Sequence, residues 1–389
     1  MLNILLIFFS LQFALIASFE SSEILNIIGN VFDGKLNEEE VKKLAEEISL
    51  IKEVYDVEIN EEQIRKIAGD IAQINEQNGG YWKAKVNYYS LLPENEQKRI
   101  CGVQNSGRGK NGGGKPEFPI LEKLANNDDC ETEIEFDARE QWPDCYSFIN
   151  YIQNQGRCGS CWAVSTASAY TDRSCIQRLI NGLSTSIDDP SLHFSSTDVM
   201  SCSIDYDGCE GGWPSKAWQW IQSNGVCTGT DHVWNNGCKP YPYEPKGKAE
   251  QVKCEAECKN TDWTTEYSDD KHFVNSVAFL NENNSTEQAI IEELQTNGPL
   301  VAAFMVYKDF FSYKTGVYFK TPNATEVGGH AVVVIGHGKQ TCNGKEMPFW
   351  LVKNSWGTDW GDEGLFKIRR GVNECGFEKD EISYGIPTV

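Results

Sequence analysis

The run Cys158-Gly159-Ser160-Cys161-Trp162 constrains this chain more than any other feature. Two thiols three residues apart must sit on one tight turn, and the second opens a segment that reads as a helix. A cysteine at a helix N-terminus has a lowered pKa, because the aligned peptide dipoles favour negative charge there. Its backbone N–H, together with the side-chain amide of Gln155 six residues upstream, supplies two donors for an oxyanion developing on an attacked carbonyl. A C-x-x-C can also be a zinc half-site or a redox pair. A zinc site needs two further ligands, and Cys254-x-x-x-Cys258 offers the spacing. In a secreted chain with fourteen cysteines, however, such thiols are ordinarily disulfides.

Partners for a nucleophile appear downstream. Gly328-Gly329-His330-Ala331-Val332-Val333-Val334-Ile335-Gly336 reads as a histidine opening a buried strand, with five apolar residues following without a break. The glycines allow close approach of substrate backbone. Trp350 to Gly357 reads as a second strand that ends on Asn354, whose side-chain carbonyl can orient the imidazole as the third member of a Cys-His-Asn set. Trp356 can cover that hydrogen bond and exclude water. A lone histidine before an apolar run is more often a core residue, but this one follows a reactive-looking cysteine in the expected order. His330 and Asn354 lie 169 and 193 residues after Cys161. That exceeds the ~130–150 of papain-like chains, so an insertion is expected between Cys161 and His330.

On these residues the chain resembles papain-family cysteine proteases, and within them the cathepsin B branch. Phe136 to Cys145 resembles the start of a mature cathepsin B, Asp207-Gly208-Cys209-Glu210-Gly211-Gly212 its glycine wall, and Gly237-Cys238-Lys239-Pro240-Tyr241 the approach to its occluding loop. Asn297 to Leu300, Tyr313 to Tyr318 and Asp359 to Gly364 also fit. The resemblance implies an α+β, two-lobed papain-like fold, with a helical lobe over about 131–225 carrying Cys161 and a β-rich lobe over about 265–375 carrying His330 and Asn354. It implies a cysteine endopeptidase in which Cys161 attacks as thiolate, His330 protonates the leaving amine, Asn354 orients His330 and Gln155 binds the oxyanion. No metal or organic cofactor is implied. The rival readings are a catalytically inactive binding or inhibitory homologue, against which all four catalytic positions are intact, and a zinc protein using Cys158 and Cys161.

Composition sets the surroundings. Net charge is −22 and the hydrophobic fraction 40%, so a packed core is available and nucleic acid is an unsuitable partner. Met1 to Ser18 reads as a signal peptide with apolar core Ile4 to Phe9 and Phe13 to Ala17, although its first residues lack Lys or Arg. The expected compartment is the secretory pathway, ending in a lysosome-like acidic compartment or outside the cell, with no membrane span. Asn283, Asn284 and Asn323 occupy N-glycosylation sequons. Residues 19–130 read as an activation propeptide and 131–389 as the catalytic domain. Within the propeptide Glu38 to Leu50 and Glu61 to Ile74 have helical spacing, with Ile64, Ile67, Ala68 and Ile71 in one stripe. Tyr81 to Asn87 and Cys101-Gly102 resemble a cathepsin B prosegment, which in that family runs through the cleft in reverse and blocks it. Ser106 to Pro116 is Gly- and Lys-rich and reads as a protease-sensitive linker. The expected partners are protein and peptide substrates, the chain's own propeptide and cystatin-type inhibitors.

The resemblance further implies four disulfides: Cys145 with Cys175, Cys158 with Cys209, Cys202 with Cys254, and Cys238 with Cys258. Loops of this size stabilise by about 2–4 kcal/mol each. Cys130, Cys227, Cys342 and Cys375 are left without an assigned partner. Gly211, Gly212 and Gly329 would line the substrate backbone, Pro214 and Ala331 the main specificity pocket, and Glu378 its base. Between Cys238 and Cys254 the chain has no histidine. The family's His-His pair, which grips a substrate's terminal carboxylate, is therefore missing, and carboxydipeptidase activity is expected to be weak or absent. Lys239, Lys246, Lys248 and Lys253 are the cations left in that stretch.

Overall fold

The computed structural model describes residues 23–29, 38–104, 130–204, 207–247, 249–280 and 286–389. The signal-peptide reading, the Ser106–Pro116 linker, Lys248, Asn283 and Asn284 lie outside them. Asn323 is exposed in a turn.

Two long helices form the N-terminal segment. Glu38–Tyr55 begins with three glutamates and buries Val41, Leu44, Ala45, Ile48 and Ile51. Glu61–Gln77 starts at a capping box in which Asn60 and Gln63 satisfy each other's backbone N–H, and buries Ile64, Ile67, Ala68, Ile71 and Ile74. The apolar stripe read from the sequence is thus its inward face. The segment then extends as β1 (Trp82–Ala84) and crosses a sheet of nine strands, counted among the described residues.

That sheet runs β1, β5 (Tyr313–Tyr318), β8 (Leu365–Arg369), β7 (Lys345–Lys353), β6 (Glu326–Cys342), β4 (Leu300–Tyr307), β9 (Glu381–Pro387), β3 (Val274–Leu280). β4 is buried over seven of its eight residues, as a strand covered on both faces must be. The helix Cys161–Ile180 packs against β6 and β9 and carries the smaller helices Ser196–Cys202 and Pro214–Asn224. Among the ion pairs that tie the lobes, Lys353 Nζ lies 2.8 Å from Asp172 Oδ2, and both side chains are at most 3% exposed. Burial pushes the Asp172 carboxyl up and the Lys353 ammonium down.

Two expectations change here. Residues 130–137 are not helical: they form β2 (Cys130–Asp137), antiparallel to β6, with Cys130 opposite Cys342 and disulfide-bonded to it. This strand is mostly exposed and carries Glu131, Glu133 and Glu135. Backbone pairing and the disulfide hold it, so no buried alternation announced it in the sequence. Cys130 is consequently fastened to the β-rich lobe. Strand β9 also extends that lobe beyond residue 375.

Candidate active site

The four cystines implied by the resemblance are present: Cys145–Cys175, Cys158–Cys209, Cys202–Cys254 and Cys238–Cys258. Cys158 is therefore spent in a disulfide and cannot be a zinc ligand, which removes the zinc reading of the C-x-x-C. Cys227, Cys238 and Asp270 lie close together, but Cys238 is oxidised and offers no thiolate. Cys161 remains a free thiol.

Cys161 is the first residue of its helix, after Ser160 at the N-cap. The preceding turn is fixed by a chain of bonds: Ser160 Oγ and Tyr241 Oη are 2.7 Å apart, and Tyr241 Oη donates to the Gln155 carbonyl at 2.8 Å. On the facing lobe His330 sits in β6 opposite Phe304 of β4. Its Nε2–H donates to Asn354 Oδ1 at 2.8 Å, leaving Nδ1 without a hydrogen bond. Asn354 follows the last residue of β7 and also accepts from the Ser355 amide at 2.8 Å. The Trp356 ring lies 4.8 Å from the His330 ring and is fully buried, so it covers the His–Asn bond. Gln155 is locked from behind, its Oε1 accepting from Ser355 Oγ at 2.6 Å. Its Nε2 donates to the Cys158 carbonyl and to the Ile100 carbonyl, at 2.7 and 2.9 Å.

That last bond comes from the N-terminal segment, which fills the cleft. The Gly102 amide donates to Cys161 Sγ at 3.3 Å. The Gly102 carbonyl accepts from Gly212 N–H at 2.8 Å, Val103 N–H donates to the Gly329 carbonyl at 2.9 Å, and Gln104 N–H donates to the Gly212 carbonyl at 3.1 Å. Residues 102–104 are thus an added strand between Gly212 and Gly329, parallel to the former and antiparallel to the latter. The thiol meets an amide hydrogen where a substrate would present a carbonyl carbon. No bond can be cut at that position. Only glycine fits at 102, where a Cβ would come within 1.8 Å of the Gly159 carbonyl oxygen. Gly212 likewise backs onto the Trp162 ring, at 2.4 Å from a built Cβ. Burial under this segment pushes the Cys161 thiol up to about 11 and the His330 imidazole down to about 4. The covered pair is a neutral thiol and a neutral imidazole, with charge separation suppressed by desolvation.

Glu378 is buried within a turn of the β-rich lobe. Its buried carboxylate accepts from Trp350 Nε1 at 3.1 Å and from the Gly371 and Asn373 amides at 2.5 and 2.7 Å. It closes the turn at 371–373. The carboxylate beside Pro214 is that of Glu381: its Oε1 accepts from the Ser215 amide at 2.6 Å, and it pairs with Ala303, itself opposite Ala331. Burial raises its pKa. The signal was present in Cys375-Gly376-Phe377-Glu378-Lys379-Asp380-Glu381, which holds a second glutamate three residues on. Of the lysines near the altered loop, Lys239 is buried against Asp198 at 2.7 Å. Lys246 donates to the Val54 carbonyl and lies over the Tyr55 ring.

The sequence profile described as "Papain family cysteine protease" matches residues 133–385. "Cathepsin B-like cysteine proteinase 4" of Caenorhabditis elegans is 39% identical over 324 residues, covering 79% of this chain and 89% of that one. A "Cathepsin B-like cysteine proteinase" of Schistosoma japonicum is 35% identical over 332 residues, covering 81% and 89%. Among solved structures, "proCathepsin B S9 from Trypanosoma congolense" superposes with a TM-score of 0.63 at 32% identity, covering 82% of this chain and 97% of that one. With a free thiol, a histidine–asparagine pair and an amide donor converging beneath an inhibiting N-terminal segment, the chain belongs to the papain family of cysteine proteases, in its cathepsin B-like branch.

Proposed function

We propose that this protein is the zymogen of a cathepsin B-like endopeptidase that passes through the secretory pathway, with a propeptide that ends before Cys130 and a catalytic unit that runs from there to the C-terminus. The observation that carries the reading is that the N-terminal segment covers Cys161, Gln155 and the His330–Asn354 pair together: the Gly102 amide donates to Cys161 Sγ, Gln155 Nε2 to the Ile100 carbonyl, and Val103 N–H to the Gly329 carbonyl beside His330. Once the propeptide leaves, water re-enters and the thiol and imidazole regain the charged pair. Cys161 Sγ attacks the substrate carbonyl carbon. The oxyanion takes the site next to Gln155 Nε2 and the Cys161 amide, the first of which holds the Ile100 carbonyl in the zymogen. His330 transfers its Nδ1 proton to the leaving amine, and water then hydrolyses the thioester. Asn354 keeps Nε2 engaged so that Nδ1 faces the reaction. Substrate backbone pairs with Gly212 and Gly329 as residues 102–104 do, and Glu381, in place of Glu378, is the carboxylate of the pocket beside Pro214.

Internal cleavage is favoured over removal of dipeptides. The segment between Cys238 and Cys254 has no histidine, and its ends are pinned by the Cys202–Cys254 and Cys238–Cys258 disulfides. The test uses long peptides with a free C-terminal carboxylate and the activated enzyme, products being read by mass spectrometry. Cuts deep inside the chain support the reading, and stepwise release of dipeptides from the C-terminus refutes it. Loss of all turnover in Cys161→Ala is required.

A further inference from the structure

The N-terminal segment passes the thiol from one end of the cleft to the other. At one end residues 102–104 lie against Gly212. At the other Tyr89 stacks on Trp356, with centroids 5.2 Å apart, and its hydroxyl donates to Asn154 at 2.8 Å. This second end is where the residues after the scissile bond would lie, on the endopeptidase reading given above. Here stands Arg157, between Gly156 and the Cys158–Cys209 disulfide. Its Nε and Nη2 both donate to the Tyr88 hydroxyl, at 2.9 and 2.8 Å, and the guanidinium carbon lies 5.9 Å from the Tyr88 ring centroid. Among the described residues these are its only hydrogen-bond partners, and no carboxylate pairs with it. A cavity of about 300 Å³ lies beside it, walled by the propeptide on one side and, from the catalytic unit, by Arg157 and Lys308 of the facing lobe. Lys308 Nζ lies 2.6 Å from Glu94 Oε1. Both cations of the catalytic unit are therefore satisfied by the propeptide, through Tyr88 and Glu94, and both lose those partners when it departs.

We infer that Arg157, with Lys308 across the cleft, forms a carboxylate-recognising subsite on the leaving-group side of the active site. The group it takes is a substrate carboxylate, carried either by an acidic side chain beyond the scissile bond or by the peptide's own C-terminus. A guanidinium fork is suited to this, because it binds a carboxylate through two parallel N–H···O bonds and stays charged at every working pH. The propeptide already places a glutamate on Lys308. Asp359 is the opposing charge at this end, engaged by the Tyr55 hydroxyl in the zymogen. Its presence makes the net preference modest rather than absolute.

The test compares matched quenched peptides with one fixed half before the scissile bond. One arm sets Glu against Gln at positions after the bond, in C-terminally amidated peptides. The other sets a free C-terminal acid against its amide in neutral peptides. Activated enzyme should show a kcat/KM ratio of about five to ten in favour of the carboxylate in at least one arm, and the arm that shows it names the source. The ratio should fall to about one in Arg157→Gln, stay above one in Arg157→Lys, and turn in favour of Lys over Gln in Arg157→Glu. It should also fade below a pH of about 4, as the peptide carboxylate protonates. Ratios near one in both arms for the unaltered enzyme, or a preference that survives Arg157→Gln, overturn the inference. Failure of every peptide to be cut would instead overturn the peptidase reading on which it rests.

Discussion

Trp82 anchors the N-terminal segment on the catalytic unit, and Trp82→Ala should unmask the active site without touching it. The indole is 1% exposed and packs on Tyr313 and Tyr318 of β5, with centroids 6.1 and 5.2 Å away. Its Nε1–H donates to the Phe319 carbonyl at 3.1 Å. These partners all belong to the catalytic unit, so the loss falls on docking of the propeptide rather than on its own fold. A buried Trp removes about 150–250 Å² from water, which at ~25 cal/mol/Å² is about 4–6 kcal/mol; Trp→Ala changes in cores cost about 3–5 kcal/mol. Even the lower figure, 3 kcal/mol, raises the open population by about 150-fold. The assay is the rate at which a thiol-directed peptidyl epoxide labels Cys161 in full-length precursor at neutral pH. That rate follows the open population when reclosing is faster than labelling. Acceleration of about a hundredfold is expected, with a several-fold effect for Trp82→Phe. A change below about threefold in a folded variant would refute the reasoning.

Other outcomes follow from single contacts. Lys353→Met leaves Asp172 as a buried lone charge and should cost about 3–5 kcal/mol in thermal or denaturant unfolding, most of it regained by adding Asp172→Leu; equal stability of the single and double variants would contradict this. Activation should cut before Cys130, so the processed enzyme and its propeptide separate on a non-reducing gel. A propeptide released only by reductant would mean that cutting occurs after Cys130, leaving the Cys130–Cys342 bond as a tether. Glu381→Gln should lower cleavage after pairs with arginine in the second position before the scissile bond, while sparing phenylalanine there. Because burial holds the Glu381 carboxyl above the usual range, its charge, and the arginine preference, should already fade at a pH above the ordinary glutamate value as acid is added. Glu378→Gln should instead weaken folding by about 1–3 kcal/mol through its three donors, with no change in the arginine-to-phenylalanine ratio.

What the sequence disclosed was what depends on local chemistry. Cys161, Gln155, His330, Asn354 and Trp356 stand in short runs whose residue types are dictated by nearby backbone, and the helix Glu61–Gln77 carries its stripe and cap in consecutive residues. The Cys130–Cys342 bond was hidden because its partners lie 212 residues apart and β2 is an exposed acidic strand. Glu378 and Glu381 both follow Cys375 closely, and only the register of β9 against β4 tells which carboxylate turns toward the Ser215 amide. The helix Glu38–Tyr55 was legible as a helix but not in its place: its last turn reaches the catalytic unit, where Tyr55 engages Asp359 of the β-rich lobe and the Val54 carbonyl accepts from Lys246 of the altered loop. No pattern within the helix specifies partners so distant in the chain.

The most direct measurement is covalent. Activated enzyme, treated with the epoxide and digested, should carry one adduct, on Cys161, with peptide turnover falling in step with its formation; Cys161→Ala should take no label there and show no turnover. Turnover that persists after Cys161 is fully labelled, or in Cys161→Ala, would contradict the assignment of this thiol as the nucleophile.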